Sequence, residues 1–180
     1  MKIHHSGMAL FLFGALALFS CTNQDCFEEL TLTIPQSDNT PPTLTWEITD
    51  LATNNTTTHS GSAVDISTTP GKNYRVVCKA ADPDGGIKMM TFAGPGFTQT
   101  CNENGQDVTI TTSIIANEMD FSSLLPQALK EWRTEIENME VMGCGEGTLV
   151  SLNMHIFGSV ENHHGGQASS TLNFNAGTQP

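Results

Sequence analysis

The chain has 180 residues, with 7 Lys and Arg against 19 Asp and Glu and a formal charge of −12 at neutral pH. A surface that acidic repels phosphodiester backbones and anionic headgroups, so nucleic acid is not an expected partner and membrane attraction cannot come from basic residues. No shift in charge or composition divides the chain, which fits one domain after removal of a short leader.

At the N-terminus Lys2, His4 and His5 precede the apolar run Met8 to Phe19, which is closed by Ser20 and Cys21. A membrane-spanning helix needs roughly 20 apolar residues, and this run stops short at Ser20 and the polar Thr22, Asn23 and Gln24. A charged start, a short apolar stretch and a small residue before a cut have the form of an export signal. The segment Leu18-Phe19-Ser20-Cys21 resembles the lipobox of bacterial lipoproteins, which implies cleavage after residue 20 and acylation of Cys21. Two or three acyl chains on one residue would anchor the protein stably, since each buried methylene contributes about 0.8 kcal/mol. Cleavage deletes Lys2 and no acid, leaving 6 basic residues against 19 acidic ones and a mature charge of −13. The acidic residues Asp25, Glu28 and Glu29 resemble the export tag of surface lipoproteins in the Bacteroidota, which implies the outer face of an outer membrane. The alternative is a lipoprotein facing the periplasm.

Residues 21–42 read as a polar tether ending at Pro41-Pro42, and residues 43–180 as the folded domain. Four cysteines remain besides the anchor: Cys26, Cys78, Cys101 and Cys144. In an oxidising compartment an even count invites disulfides, and three pairings are open. Cys101 with Cys144 is preferred, because both are read in Gly- and Asn-containing loops while Cys78 lies inside an apolar strand. The spacing of these cysteines contains no C-x-x-C pair or clustered His, which argues against a zinc site.

From Thr43 onward the pattern is period-two alternation rich in Thr and Val, as in strands with one buried face. Leu44, Trp46 and Ile48 mark the first strand; Thr53 to Ser60 reads as a polar loop; Ala63 to Ile66 is a short strand. Pro70-Gly71 turns the chain into Asn73 to Ala81, where Tyr74, Val76, Cys78 and Ala80 share one face and Arg75 and Lys79 the other. The run Asp82-Pro83-Asp84-Gly85-Gly86 is a turn, since Pro fixes one φ and Gly supplies positive φ. Ile87 to Phe92, Val108 to Ile115, Thr148 to Phe157 and Ala168 to Phe174 complete the expected strands. Between Phe121 and Gly143, Leu125, Leu129, Trp132, Ile136 and Met139 recur at spacings of four, three, four and three. That spacing predicts a helix over about 122–142, capped by Ser122 or Ser123, with Pro126 in its first turn and Gly143 at its end.

The segment from Tyr74 to Ile87, with its Ala81-Asp82-Pro83-Asp84-Gly85-Gly86 turn, resembles the strand, acidic turn and strand of bacterial immunoglobulin-like domains. Gly165-Gly166 followed by Ala168, Ser170, Leu172 and Phe174 is similar to their closing hairpin. The resemblance implies a mainly β fold, an immunoglobulin-like two-sheet sandwich, here with one amphipathic helix inserted before the last two strands. It also implies that the 82–86 turn and the 161–166 turn lie at the same end. Asp82 and Asp84 would then approach Glu161, Asn162, His163 and His164, a set of oxygen and imidazole groups that could hold Ca²⁺ or a softer metal. The rival expectation is ordinary turn hydrogen bonding by Asp82 and Asp84 with a solvated His pair, and no cofactor.

Nucleophilic catalysis needs a base within reach of an activated Ser, Thr or Cys. No G-x-S-x-G elbow is present, and His59 and His155 fall in a loop and on a strand. Trp46 and Trp132 sit on apolar stripes and are expected in the core, not flooring a sugar site. The expected function is therefore a non-enzymatic, lipid-anchored binding or spacer module of the cell envelope, contacting a protein or glycan. A small hydrolase is the third alternative.

Overall fold

The structure, a computed structural model, describes residues 40–125 and 128–177. Cys21, Cys26, the export signal and nearly all of the 21–42 tether lie outside the described residues, as does Pro126. Ten strands form: β1 (Thr43–Asp50), β2 (Asn55–Ser60), β3 (Ala63–Ser67), β4 (Asn73–Ala81), β5 (Ile87–Glu103), β6 (Gln106–Thr112), β7 (Ala116–Asp120), β8 (Glu131–Glu140), β9 (Thr148–Asn162) and β10 (Gln167–Gly177). One sheet has the order β2-β1-β4-β8; the other has the order β3-β10-β9-β5-β6, with β7 also pairing β5. All pairs are antiparallel except β3 with β10.

Alternation places the core between the sheets. Leu44, Trp46 and Ile48 on β1 and Tyr74, Val76, Cys78 and Ala80 on β4 are buried against Met90 and Phe92 on β5, Met154 and Ile156 on β9, and Leu172 and Phe174 on β10. Trp46 is wholly buried, and its indole Nε1 donates to Ser170 Oγ on the opposite sheet at 2.8 Å. Gly158 makes room for it: a Cβ there would stand 3.1 Å from Cys78 Sγ, 3.2 Å from Leu44 and 3.4 Å from Trp46. This part of the core is thus packed around one large ring and one missing side chain.

The expected helix over 122–142 is replaced by strand, and no helix occurs among the described residues. In β8, Trp132, Thr134 and Ile136 alternate with exposed Glu131, Arg133, Glu135 and Glu137, and Met139 is then buried. Val76 faces Ile136 and Tyr74 faces Met139, so two residues of β4 span three of β8. Such a bulge inserts one residue and shifts the parity. Within β8, Trp132 to Ile136 is two strand repeats and Ile136 to Met139 is one repeat plus the bulge residue, so spacings of four and three imitate a helix stripe there.

Three further expectations are corrected. The polar loop read at Thr53 to Ser60 is in part β2, an exposed edge strand rich in Thr. The strand starting at Ile87 does not stop at Phe92; it continues past Gly94-Pro95-Gly96 to Glu103, with a register shift between Ala93 and Gly96. Proline is tolerated there because it sits at an irregularity of the ladder and donates no bond. On its outer edge β5 pairs first with β7 and then with β6, and Gly94 N–H donates to Ile115 C=O in the gap between them. Finally, alternation along Thr148 to Phe157 places Val150 on one face with Leu152, Met154 and Ile156, but Val150 falls at a further register shift, so that Leu149 and Leu152 are the buried residues.

Candidate functional site

The 82–86 turn between β4 and β5 and the 163–166 turn between β9 and β10 do meet at one end of the sandwich. Asp82 is only 2% exposed and Asn162 is wholly buried. Asp82 Oδ1 accepts from the backbone N–H of Gly85 at 2.6 Å and of Asp84 at 3.2 Å. Its Oδ2 accepts from Asn162 Nδ2 at 2.9 Å. Asn162 Oδ1 in turn accepts from the N–H of Gly166 at 2.7 Å and of His164 at 3.0 Å, while its Nδ2 also donates to Thr40 C=O at 3.3 Å. Backbone bonds close the cluster: Asp82 N–H donates to Lys130 C=O, and His163 N–H to Gly86 C=O. A buried amide and a buried carboxylate thus satisfy each other and fasten four segments together, as buried polar groups must.

Of the six residues expected to converge, Asp82 and Asn162 are joined directly. Asp84 and His164 contribute backbone N–H groups and are exposed, and His163 contributes backbone. Glu161 is occupied elsewhere: its Oε1 accepts from Lys88 Nζ at 2.6 Å and its Oε2 from Gln167 Nε2 at 2.9 Å. Lys88, followed by Gln167, holds the Glu161 carboxyl below its ordinary value, and Glu161 raises Lys88 in return. Among the described residues, no group of three or more His, Cys, Asp or Glu side chains is arranged to hold a metal ion.

Cys101 and Cys144 form a disulfide, as the sequence suggested, with Cα atoms 5.9 Å apart and a sequence separation of 43. The premise needs correction on one side: Cys101 lies in β5, not in a loop. The loop is the two-residue turn Asn104-Gly105, both with positive φ, joining β5 to β6. This Asn-Gly pair is a hairpin signal that matches the strand twist. Cys144 belongs to the β8–β9 connection, which lies so close to β5 that a Cβ on Gly147 would come 2.7 Å from the Asn102 carbonyl. Cys78 is the free thiol among the described residues; burial pushes it up to about 12, which keeps it protonated and unreactive. The acylation site, Cys21, lies outside the described residues.

A feature the sequence reading passed over is the outer edge of β6. Among the described residues this strand pairs with β5 alone. On the face shared with Cys101 and Gln99, Val108 and Ile110 are 41% and 52% exposed. On its outward face Thr109 and Thr111 meet Thr100 and Thr98 in hydroxyl ladders at 2.9 and 3.4 Å. The signal was present as β-branched alternation following Asn104-Gly105, without Lys or Pro to defend an edge.

No protein-family model matches the chain, and no curated protein matches it. Among solved structures, it is similar to a PapD-like (ASH) domain of human CEP192, PapD-like domain 7, at 11% identity and a TM-score of 0.34, covering 81% of this chain and 94% of that one.

Proposed function

We propose that the chain is a lipid-anchored module of the bacterial cell envelope, an immunoglobulin-like sandwich that contacts a protein or glycan partner and catalyses no reaction. Cys21 carries the anchor, the 21–42 segment is the tether, and the sandwich is held outside the cytoplasm. The observation that carries this reading is the pairing of an export-type N-terminus ending in Leu18-Phe19-Ser20-Cys21 with the Cys101–Cys144 disulfide inside the fold. Disulfides persist in oxidising compartments and are rare in the cytosol, so both features point to the same side of the membrane. The immunoglobulin-like assignment is supported by the two antiparallel-dominated sheets and by the β4–β5 turn meeting the β9–β10 turn.

The reading is tested by growing cells with an alkyne-bearing palmitate analogue. The protein should incorporate the label, and Cys21→Ala should abolish incorporation. Mass spectrometry finding an unmodified Cys21 thiol or an intact Met1 in the mature protein would end the proposal. Protease treatment of intact cells decides orientation: release of the domain places it outside, and full protection places it on the periplasmic face.

A further inference from the structure

The unpaired edge of β6 has the chemistry of a strand-docking site. Four observations bear on it. The edge offers backbone donors and acceptors that no other strand among the described residues takes up. Beside it lies an apolar shelf of Val108 and Ile110, continued by Met142, which is 37% exposed and whose carbonyl accepts from Gln99 Nε2. The far side is the threonine ladder. The fourth observation is charge. At the Asn104-Gly105 end of the strand stand Glu103, Asp107 and, across a shallow pocket, Glu146. The chain places no Lys or Arg on β6, on the Phe97–Glu103 half of β5, or in residues 141–147.

Among the other edges, β8 and β3 carry charged side chains, whereas β2 is Thr-rich and has no Lys, Arg, Asp or Glu. On β8 the exposed Glu131, Arg133, Glu135 and Glu137 recur at every second position, and charges so placed deter added strands. On β3, Asp65 Oδ1 is taken by Asn173 and Asn175 of the neighbouring strand. The edge of β6 carries one charge, Asp107, at its end.

We propose that β6 receives an extended segment of a protein partner by strand addition. The segment pairs antiparallel with Gln106–Thr112, sets apolar or β-branched side chains against Val108 and Ile110, and carries Lys or Arg at the end that reaches Glu103, Asp107 and Glu146. Backbone bonds supply affinity in such complexes, and alternate side-chain pockets supply specificity. The charge selects the occupant. A second copy of this chain would present the same edge with no basic residue, leave the acidic end uncompensated and add like net charge. A basic extended segment compensates it. This inference rests on the partner-binding reading above and names the partner's chemistry.

The test uses the full chain in detergent and a synthetic peptide, Val-Thr-Ile-Thr-Val-Lys-Lys, followed by hydrogen–deuterium exchange and fluorescence anisotropy. Binding should slow exchange in residues 106–112 and weaken as salt is raised, because exposed charge pairs are screened. Ile110→Lys places a charge on an exposed position without touching the core, and should weaken binding about tenfold or more. The same peptide ending in Glu-Glu should bind more weakly than the parent peptide. Absence of binding at about 1 mM peptide, equal binding by the Glu-Glu peptide, or binding indifferent to Ile110→Lys overturns the proposal. So does self-association of the chain that Ile110→Lys abolishes, which would make the occupant a second copy. The labelling of Cys21 is scored separately: an acylated, surface-exposed protein that ignores the peptide defeats the strand-addition inference and leaves the anchored module standing.

Discussion

Replacing both Cys101 and Cys144 by Ala opens a loop of 43 residues. In the chain-entropy view a crosslink stabilises by restricting the unfolded ensemble, and a loop of this length corresponds to about 4 kcal/mol at 25 °C. Domains are stable by only about 5–15 kcal/mol, so the variant should remain folded with much of its margin gone. With a urea m-value of about 2 kcal/mol per molar, the midpoint should fall by about 2 M. Equilibrium urea unfolding followed by tryptophan emission reads this directly, because Trp46 is wholly buried in the fold. The m-value should also rise, since the open unfolded chain exposes more surface. Parent protein unfolded in dithiothreitol should reproduce the variant's curve. A variant within about 1 kcal/mol of the oxidised parent would refute the reasoning, because the bridge would then not be restricting the unfolded chain as its span requires.

The remaining predictions concern the loop lock, the core and pH. Asp82→Ala leaves the Gly85 N–H and one side of the Asn162 amide without their acceptor, and should cost about 2–4 kcal/mol in chemical denaturation; a loss below about 0.5 kcal/mol would mean that water replaces the carboxylate. Millimolar Ca²⁺ or Zn²⁺ should leave the melting temperature unchanged, since Asp82 and Asn162 are engaged with each other; a rise that Asp84→Asn removes would assign a metal to these turns. Gly158→Val forces atoms against Cys78 Sγ, Leu44 and Trp46, and should destabilise by about 1–3 kcal/mol, while Gly158→Ala should be milder. Lys72 holds Asp50 below its ordinary 3.8, the hydroxyl and N–H of Ser122 hold Asp120 below 3.8, and Lys88 holds Glu161 below 4.5. Folded-state values lowered in this way give stability that is present above the ordinary values and lost as pH falls through the lowered ones. The melting temperature should therefore decline on acidification below about pH 4, and a rise over that range in a thermal melt would contradict the ion-pair geometry.

Much of the architecture was legible because alternation is a local signal of a non-local event. The inward parity of Leu44, Trp46 and Ile48, and of Tyr74, Val76, Cys78 and Ala80, predicted which side chains the second sheet would cover. The failures at β8 and β5 share one cause, which is that bulges move parity without leaving a strong mark on composition, while β2 was missed because an exposed Thr-rich edge strand has no apolar face to alternate. Around Glu137 and Asn138 a shift made strand spacing look helical, although the alternating charges from Glu131 to Glu137 spoke for a strand. At Gly94-Pro95-Gly96 a second irregularity made one long strand look like a short one, which put Cys101 into an imagined loop. The disulfide was still paired correctly, because Cys78 was recognised as interior.

Parity also explains how the turn cluster is fastened. On β9 the even-numbered residues Leu152, Met154, Ile156, Gly158 and Val160 are buried in succession, and the next in that register is Asn162. Glu161 therefore points the opposite way and meets Lys88 on the outer face, so two neighbours in sequence cannot share one ligand. An amide carried into the interior by strand register has to find both acceptors and donors there. Asp82 fulfils that need while stabilising its own turn through Gly85 and Asp84. The carboxylate that a loop reading offers to a metal is the partner which makes burial of Asn162 tolerable, and this end of the sandwich is a joint for the segments that hold the sheets in place. Away from this joint, the register of β6 against β5 turns Val108 and Ile110 to the same face as Gln99 and Cys101, and both stay partly exposed there.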